Sequence, residues 1–136
     1  MRKCFAVILA AILLSVAPAF ADSFLDDFNL YASEVYNIPQ LQPMVENTSY
    51  KSDEVEILTS DDIEIYGEDA LSVITAACCS LRVIDNAGSQ IDHYGKLLHA
   101  YFLYRSSGEE SRATTDTGIL IYFSEVADIY TVRLVK

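Results

Sequence analysis

The chain has no tryptophan, only two histidines and three cysteines, and just five glycines and three prolines in 136 residues. Each scarcity closes a line of chemistry. His93 and His99 stand six apart, a spacing that fits neither a zinc-type pair on one helix face nor alternate positions of one strand. The glycines form no phosphate-cradling loop and the serines no nucleophile elbow, so no residue pattern calls for a cofactor. Basic residues are also few, nine against twenty acids, for a formal charge of −11. Such a balance argues against nucleic acid and against anionic lipid surfaces as partners.

What is present begins with a leader. Arg2 and Lys3 precede an apolar run from Phe5 to Ala17, followed by Pro18 and the small-x-small triplet Ala19-Phe20-Ala21. That is the layout of a secretory signal peptide, and the expectation is a leader over residues 1–21 and a secreted or periplasmic protein with no stable membrane anchor. The remaining 115 residues (136 less 21) suit one domain, 22–136. Without Arg2 and Lys3 they carry seven bases against twenty acids.

The longest run that is apolar on nearly every side is Gly67 to Asp85, which reads as a buried helix with Glu68 and Asp69 at its positive end. Asp22 to Tyr36 reads as an amphipathic helix ended by Pro39, and Ile38 to Ser52 as an irregular connection containing a glycosylation-type triplet at Asn47. Glu54 to Tyr66 alternates twice around Thr59-Ser60-Asp61. A three-residue loop there pairs Ile57 with Ile63 and Val55 with Ile65, and sets Glu56 opposite Glu64. Arg82 to Asp85 and Gln90 to Tyr94 read as short strands. Lys96 to Arg105 is read as a strand on its aromatic content, although Ile91, Tyr94, Leu98, Tyr101 and Arg105 also make a helical stripe with Ser89 and Asp92 placed as a capping box. Ser106 to Thr117 reads as a mobile loop, and Gly118 to Phe123 with Ile129 to Val135 as an antiparallel hairpin. The expected fold is α+β, an antiparallel sheet of about four to six strands against two helices.

Three candidate sites follow. Like charges facing across a strand pair are unfavourable, so the acid-rich hairpin with Glu54, Glu56, Asp62 and Glu64 is expected to lie in water, to bind a cation such as calcium, or to meet a basic protein partner, as an inhibitor does. Tyr101 and Tyr104 are candidates to line a small-molecule pocket. A thiol enzyme pairing Cys78 or Cys79 with His99 is the third, although thiols late in an apolar helix favour a packing role.

Overall fold

The computed structural model describes residues 16–44 and 48–136. Residues 1–15 of the expected leader and Asn47 of the glycosylation-type triplet lie outside the described residues. Among the described residues there are three α-helices and seven strands: α1 (Val16–Tyr31), β1 (Gln42–Pro43), β2 (Ser49–Lys51), β3 (Glu56–Leu58), β4 (Ile63–Gly67), α2 (Ala70–Ile84), α3 (Gln90–Ser107), β5 (Ser111–Thr114), β6 (Leu120–Val126) and β7 (Ile129–Val135). The backbone of α1 runs across the position where the sequence places cleavage, after Ala21. The strands form one antiparallel sheet in the order β1-β2-β3-β4-β7-β6-β5. The α+β class holds, with one more helix and one more strand than expected.

The buried element expected first is found: α2 sinks Val73, Ile74, Ala76, Ala77, Cys78, Cys79 and Leu81 completely or nearly so. Asp69 caps its start by accepting from Ser72 N at 2.9 Å, an arrangement favoured at a helix N-terminus. Alternation along the strands sends Ile57, Ile65, Val132, Leu134, Ile121 and Phe123 to the helix side. α2 contacts β4 and β7, and α3 contacts β5 and β6, so one sheet face is covered and the other stays half-exposed. Ahead of them, α1 passes into a π-helical turn at Ala32–Tyr36 and stops at Asn37, whose φ is 53°. Asn29 then fastens the following segment, accepting from Leu41 N at 2.7 Å and donating to Leu41 O at 3.1 Å.

Four expectations need correction. Arg82 to Asp85 is the end of α2 and not a strand, with Asp85 as its C-cap. Gln90 to Ser107 is helix throughout. The helix cap prevails over aromatic strand preference: Ser89 Oγ accepts from Asp92 N at 3.0 Å, and Gly108 at φ 74° closes the far end. The segment taken as a mobile loop holds β5, where Ser111 and Ala113 point inward and Arg112 and Thr114 outward. Small residues face in there because α3 lies directly on them, and the Ser111 hydroxyl donates to Ala100 O. Ile38 to Ser52, read as irregular, contributes β1 and β2 at the sheet edge, with Tyr50 buried against Phe24 of α1.

The β3–β4 hairpin exists, but its register differs. Ile57 pairs with Ile65, Glu56 with Tyr66 and Leu58 with Glu64. Thr59 stays extended, donating to Thr48 O at 2.8 Å, so the chain reverses later than a three-residue loop requires. A shift of two residues keeps every side chain on its expected face while changing what it opposes. Glu56 and Glu64 therefore do not face each other. The β6–β7 hairpin is as expected in position but closes through two residues, Ala127 and Asp128, both left-handed at φ 53° and 67°. That geometry matches the right-handed twist of the flanking strands.

Candidate functional site

The corrected register divides the four acids of the hairpin. Glu54 and Glu56 fall at the open end of β3, beside the loop that enters α2. Asp62 and Glu64 fall on the half-exposed sheet face beside Arg133. Glu64 stands opposite Arg133 in the β4–β7 pair, Asp62 accepts from Arg133 at 3.5 Å, and the guanidinium lies 4.3 Å over the Tyr122 ring. Asp62 thus has a cation within the molecule, whereas Glu64 makes no ion pair among the described residues and accepts from the Tyr66 hydroxyl.

Glu54 and Glu56 lie away from that arginine. They line a groove of about 670 Å³ with Asp53 on one side and Glu68 and Asp69 on the other, over a floor that includes Val55, Tyr66 and Ile129. Its single base is Lys51, opposite Glu56 in the β2–β3 pair. All five acids are exposed, and among the described residues none makes an ion pair. Gly67 sets the groove's shape. A Cβ at Gly67 would come within 2.8 Å of both Glu54 O and the Val73 side chain, so only glycine lets the β3 loop lie this close to the start of α2. On that floor, Tyr66 donates to Glu64. Burial, reinforced by that hydrogen bond, pushes the phenol up to about 12, which keeps its proton in place across the physiological range.

Compared with protein-family models, with curated proteins and with solved structures, the chain matches none. The chemistry of the site has to be read from its own residues.

Tyr101 and Tyr104 line neither this groove nor the second hollow, which lies beside α3. Their rings pack on Phe123 at centroid distances of 5.3 and 5.6 Å. The Tyr104 hydroxyl donates to Glu125 at 2.7 Å, and the Tyr101 hydroxyl accepts from Arg105 at 2.8 Å. Cys78 and Cys79 are free and fully buried in α2. The Cys79 thiol donates to Phe28 O at 3.4 Å, and the Cys78 thiol to the Tyr36 hydroxyl at 3.7 Å. Burial raises both thiols, Cys79 to about 12, which disfavours the thiolate a nucleophile needs. His99 is exposed on α3 at the rim of the second hollow, and no hydrogen bond joins it to either thiol.

One polar constellation escapes a sequence reading. Asp85, at the end of α2, accepts through a single oxygen, Oδ2, from His93 Nε2 at 2.7 Å and from the Thr117 hydroxyl at 2.5 Å. His93 is fully buried, and its Nδ1 has no hydrogen-bond partner among the described residues. Burial alone would raise the Asp85 carboxyl, but the hydrogen bonds from Thr117 and His93 outweigh it and hold the group below its ordinary value. The order threonine–carboxylate–histidine is not that of a catalytic triad, in which the histidine stands between nucleophile and carboxylate. The cluster ties α2, α3 and the β5–β6 loop together. Its only mark in the sequence is Gly88, where a Cβ would lie 2.2 Å from Asp85 Oδ2 and 2.3 Å from His93 Nε2.

Proposed function

We propose that this chain is an exported protein that works by binding, and that its acid-lined groove takes the basic segment of a protein partner, as an inhibitor or accessory domain would. The observation that carries the reading is the concentration of acid at the groove: its five acids face solvent without ion pairs and Lys51 is the one base among them, whereas Asp62 has Arg133 for a partner within the fold. Among the described residues no three His, Cys, Asp or Glu side chains converge as a metal ion requires, which favours an extended partner with several cations over a single ion. Tyr66 adds a ring on which a lysine or arginine could rest. The leader expected over residues 1–21 supports a secreted or periplasmic location for the encounter.

The test is titration with a lysine- and arginine-rich peptide, alongside capture of partners from the host's exported fraction. Binding should weaken steeply as salt is raised, because charge pairs of this kind act mainly through screened fields. Glu54→Lys with Glu56→Lys should abolish it with the far-ultraviolet circular dichroism unchanged, since both side chains are exposed. Equal binding by this double variant and the unaltered chain would sink the reading.

A further inference from the structure

Within this fold, cations that lie over aromatic rings follow one pattern. Among the described residues there are three such contacts, and each is an arginine over a tyrosine: Arg82 over Tyr31 at 5.0 Å, Arg105 over Tyr101 at 5.7 Å and Arg133 over Tyr122 at 4.3 Å. Arg133 is held most closely. Its guanidinium covers the ring and also donates from Nη1 to Asp62 at 3.5 Å, so one cation is shared between a tyrosine and a carboxylate on the half-exposed sheet face. A guanidinium serves both because its flat face stacks while its N–H edge stays free for an acid. An ammonium, compact and strongly hydrated, has no flat face to stack.

The groove carries the same two groups. Tyr66 and Glu56 are directly opposite in the β3–β4 pair, so ring and carboxylate stand on one sheet face with their Cβ atoms about 5 Å apart. The Tyr66 hydroxyl donates to Glu64, two positions back along β4, which ties down the far end of the ring. Among the described residues no base lies over Tyr66. Lys51, on the side of Glu56 away from Tyr66, makes no ion pair and no ring contact. The other acids of the groove, Asp53, Glu54, Glu68 and Asp69, attract lysine and arginine alike, and only the ring distinguishes them.

We propose that the groove selects arginine over lysine, and that Tyr66 and Glu56 make the selection: an arginine of the partner stacks on the Tyr66 ring and presents its N–H edge to Glu56. This rests on the reading of the groove as the site of a basic segment, and it names the base that the segment must carry.

The probes are two synthetic peptides of equal length and charge in a glycine–serine frame, one with arginine and one with lysine at the same positions. Titrated by calorimetry against the full chain at low salt, the arginine peptide should bind about two- to fivefold more tightly, the worth of one exposed cation–ring contact. Tyr66→Leu removes the ring but keeps apolar bulk, and should bring the two peptides to equal affinity while both still bind. Glu56 is exposed, so Glu56→Gln makes no demand on the fold, and it should narrow the preference. The proposal is overturned if the unaltered chain binds both peptides equally or prefers lysine. It is equally overturned if the preference survives Tyr66→Leu or is unchanged by Glu56→Gln. Those outcomes leave the groove as a site for cations of either kind, whereas failure of both peptides to bind overturns the reading of the groove itself and the arginine preference with it.

Discussion

Replacing Asp85 by asparagine changes one atom in a site that has no room to rearrange. Asp85 is only 7 % exposed, and its Oδ2 receives both His93 Nε2 at 2.7 Å and Thr117 Oγ1 at 2.5 Å. Asparagine can set its amide oxygen where Oδ2 stands and accept from both donors, but as a neutral and weaker acceptor, with an N–H₂ group in the place of Oδ1. Two hydrogen bonds to a charged acceptor, each contributing about 1.5 kcal/mol, become weaker bonds to a neutral one, so Asp85→Asn should cost about 1–3 kcal/mol at neutral pH. Domains of this size are stable by roughly 5–15 kcal/mol, so the loss is large enough to measure without unfolding the chain. Urea denaturation followed by far-ultraviolet circular dichroism is the assay, because the chain lacks tryptophan. The pH dependence separates a charge effect from a steric one. The folded-state carboxyl lies below its unfolded value, which is about 3.9, so its contribution is complete above that value and is lost as pH falls through the lower, folded one. The gap between wild type and Asp85→Asn should therefore be constant from pH 7 to about 5 and close at more acid pH. A gap below about 0.5 kcal/mol, or one that persists unchanged into acid, refutes the account of this cluster as held by a buried carboxylate.

Gly88→Ala should disrupt the same cluster sterically, since its methyl would overlap Asp85 Oδ2 and His93 Nε2, and a double variant with Asp85→Asn should lose less than the sum of the two, read from the same urea curves. Cys78 and Cys79 should resist a thiol reagent in the native state and react quickly once unfolded, and Cys79→Ala should lower stability by about 1–3 kcal/mol by leaving a small cavity against Phe28. Gly67→Ala should lower the melting temperature through contact with Glu54 O and Val73, at about 1–3 kcal/mol for overpacking, and should weaken binding of basic peptide in the groove. At the β6–β7 turn, Ala127→Asn with Asp128→Gly should stabilise the chain by up to about 1 kcal/mol, seen as a higher melting temperature, because both positions have positive φ.

The parts of the fold legible in the sequence are those where one local signal is unopposed. The all-round apolar character of α2 allows nothing but burial, and the β-branched runs of β6 and β7 leave no competing helical pattern. Residues 90–107 carry two signals at once. Aromatic content argues for a strand and Ser89 with Asp92 for a helix start, and the cap decides because His93, Leu97 and Ala100 then meet the sheet together. β5 was hidden for the opposite reason: Ser111 and Ala113 are small and nearly featureless, and only the helix lying on them explains their burial. The face assignment of Glu54 to Glu64 was readable from alternation. The register was not, because it depends on Thr59 bonding to Thr48, a contact made by a strand that sequence reading treated as irregular. Of the candidate acids, therefore, Glu54 and Glu56 line the groove, whereas Asp62 pairs with Arg133, 71 positions away, and Glu64 stands opposite that arginine in the neighbouring strand.

The placement of charge connects these observations. The 15 residues of α2 span about 22 Å, with Asp69 capping one end beside the acid-lined groove and Asp85 closing the other beside the hollow of α3. At the first end, the acids are left without ion pairs at the surface, where their mutual repulsion acts against the fold. At the second end, Asp85 and Asp92 are each satisfied by donors within the molecule, Asp85 from His93 and Thr117 and Asp92 from Lys96 and Asp116 N. Repulsion among exposed acids is screened by salt, whereas the buried Asp85 bonds are screened much less. Raising salt should therefore stabilise the unaltered chain, and Glu54→Lys with Glu56→Lys should reduce that gain, whereas Asp85→Asn should leave it intact. Melting curves of the three chains at low and high salt provide the comparison. If the salt response tracks Asp85 rather than the groove, then the unpaired acids are not the source of strain that their exposure implies, and the case for a cationic partner loses its physical basis.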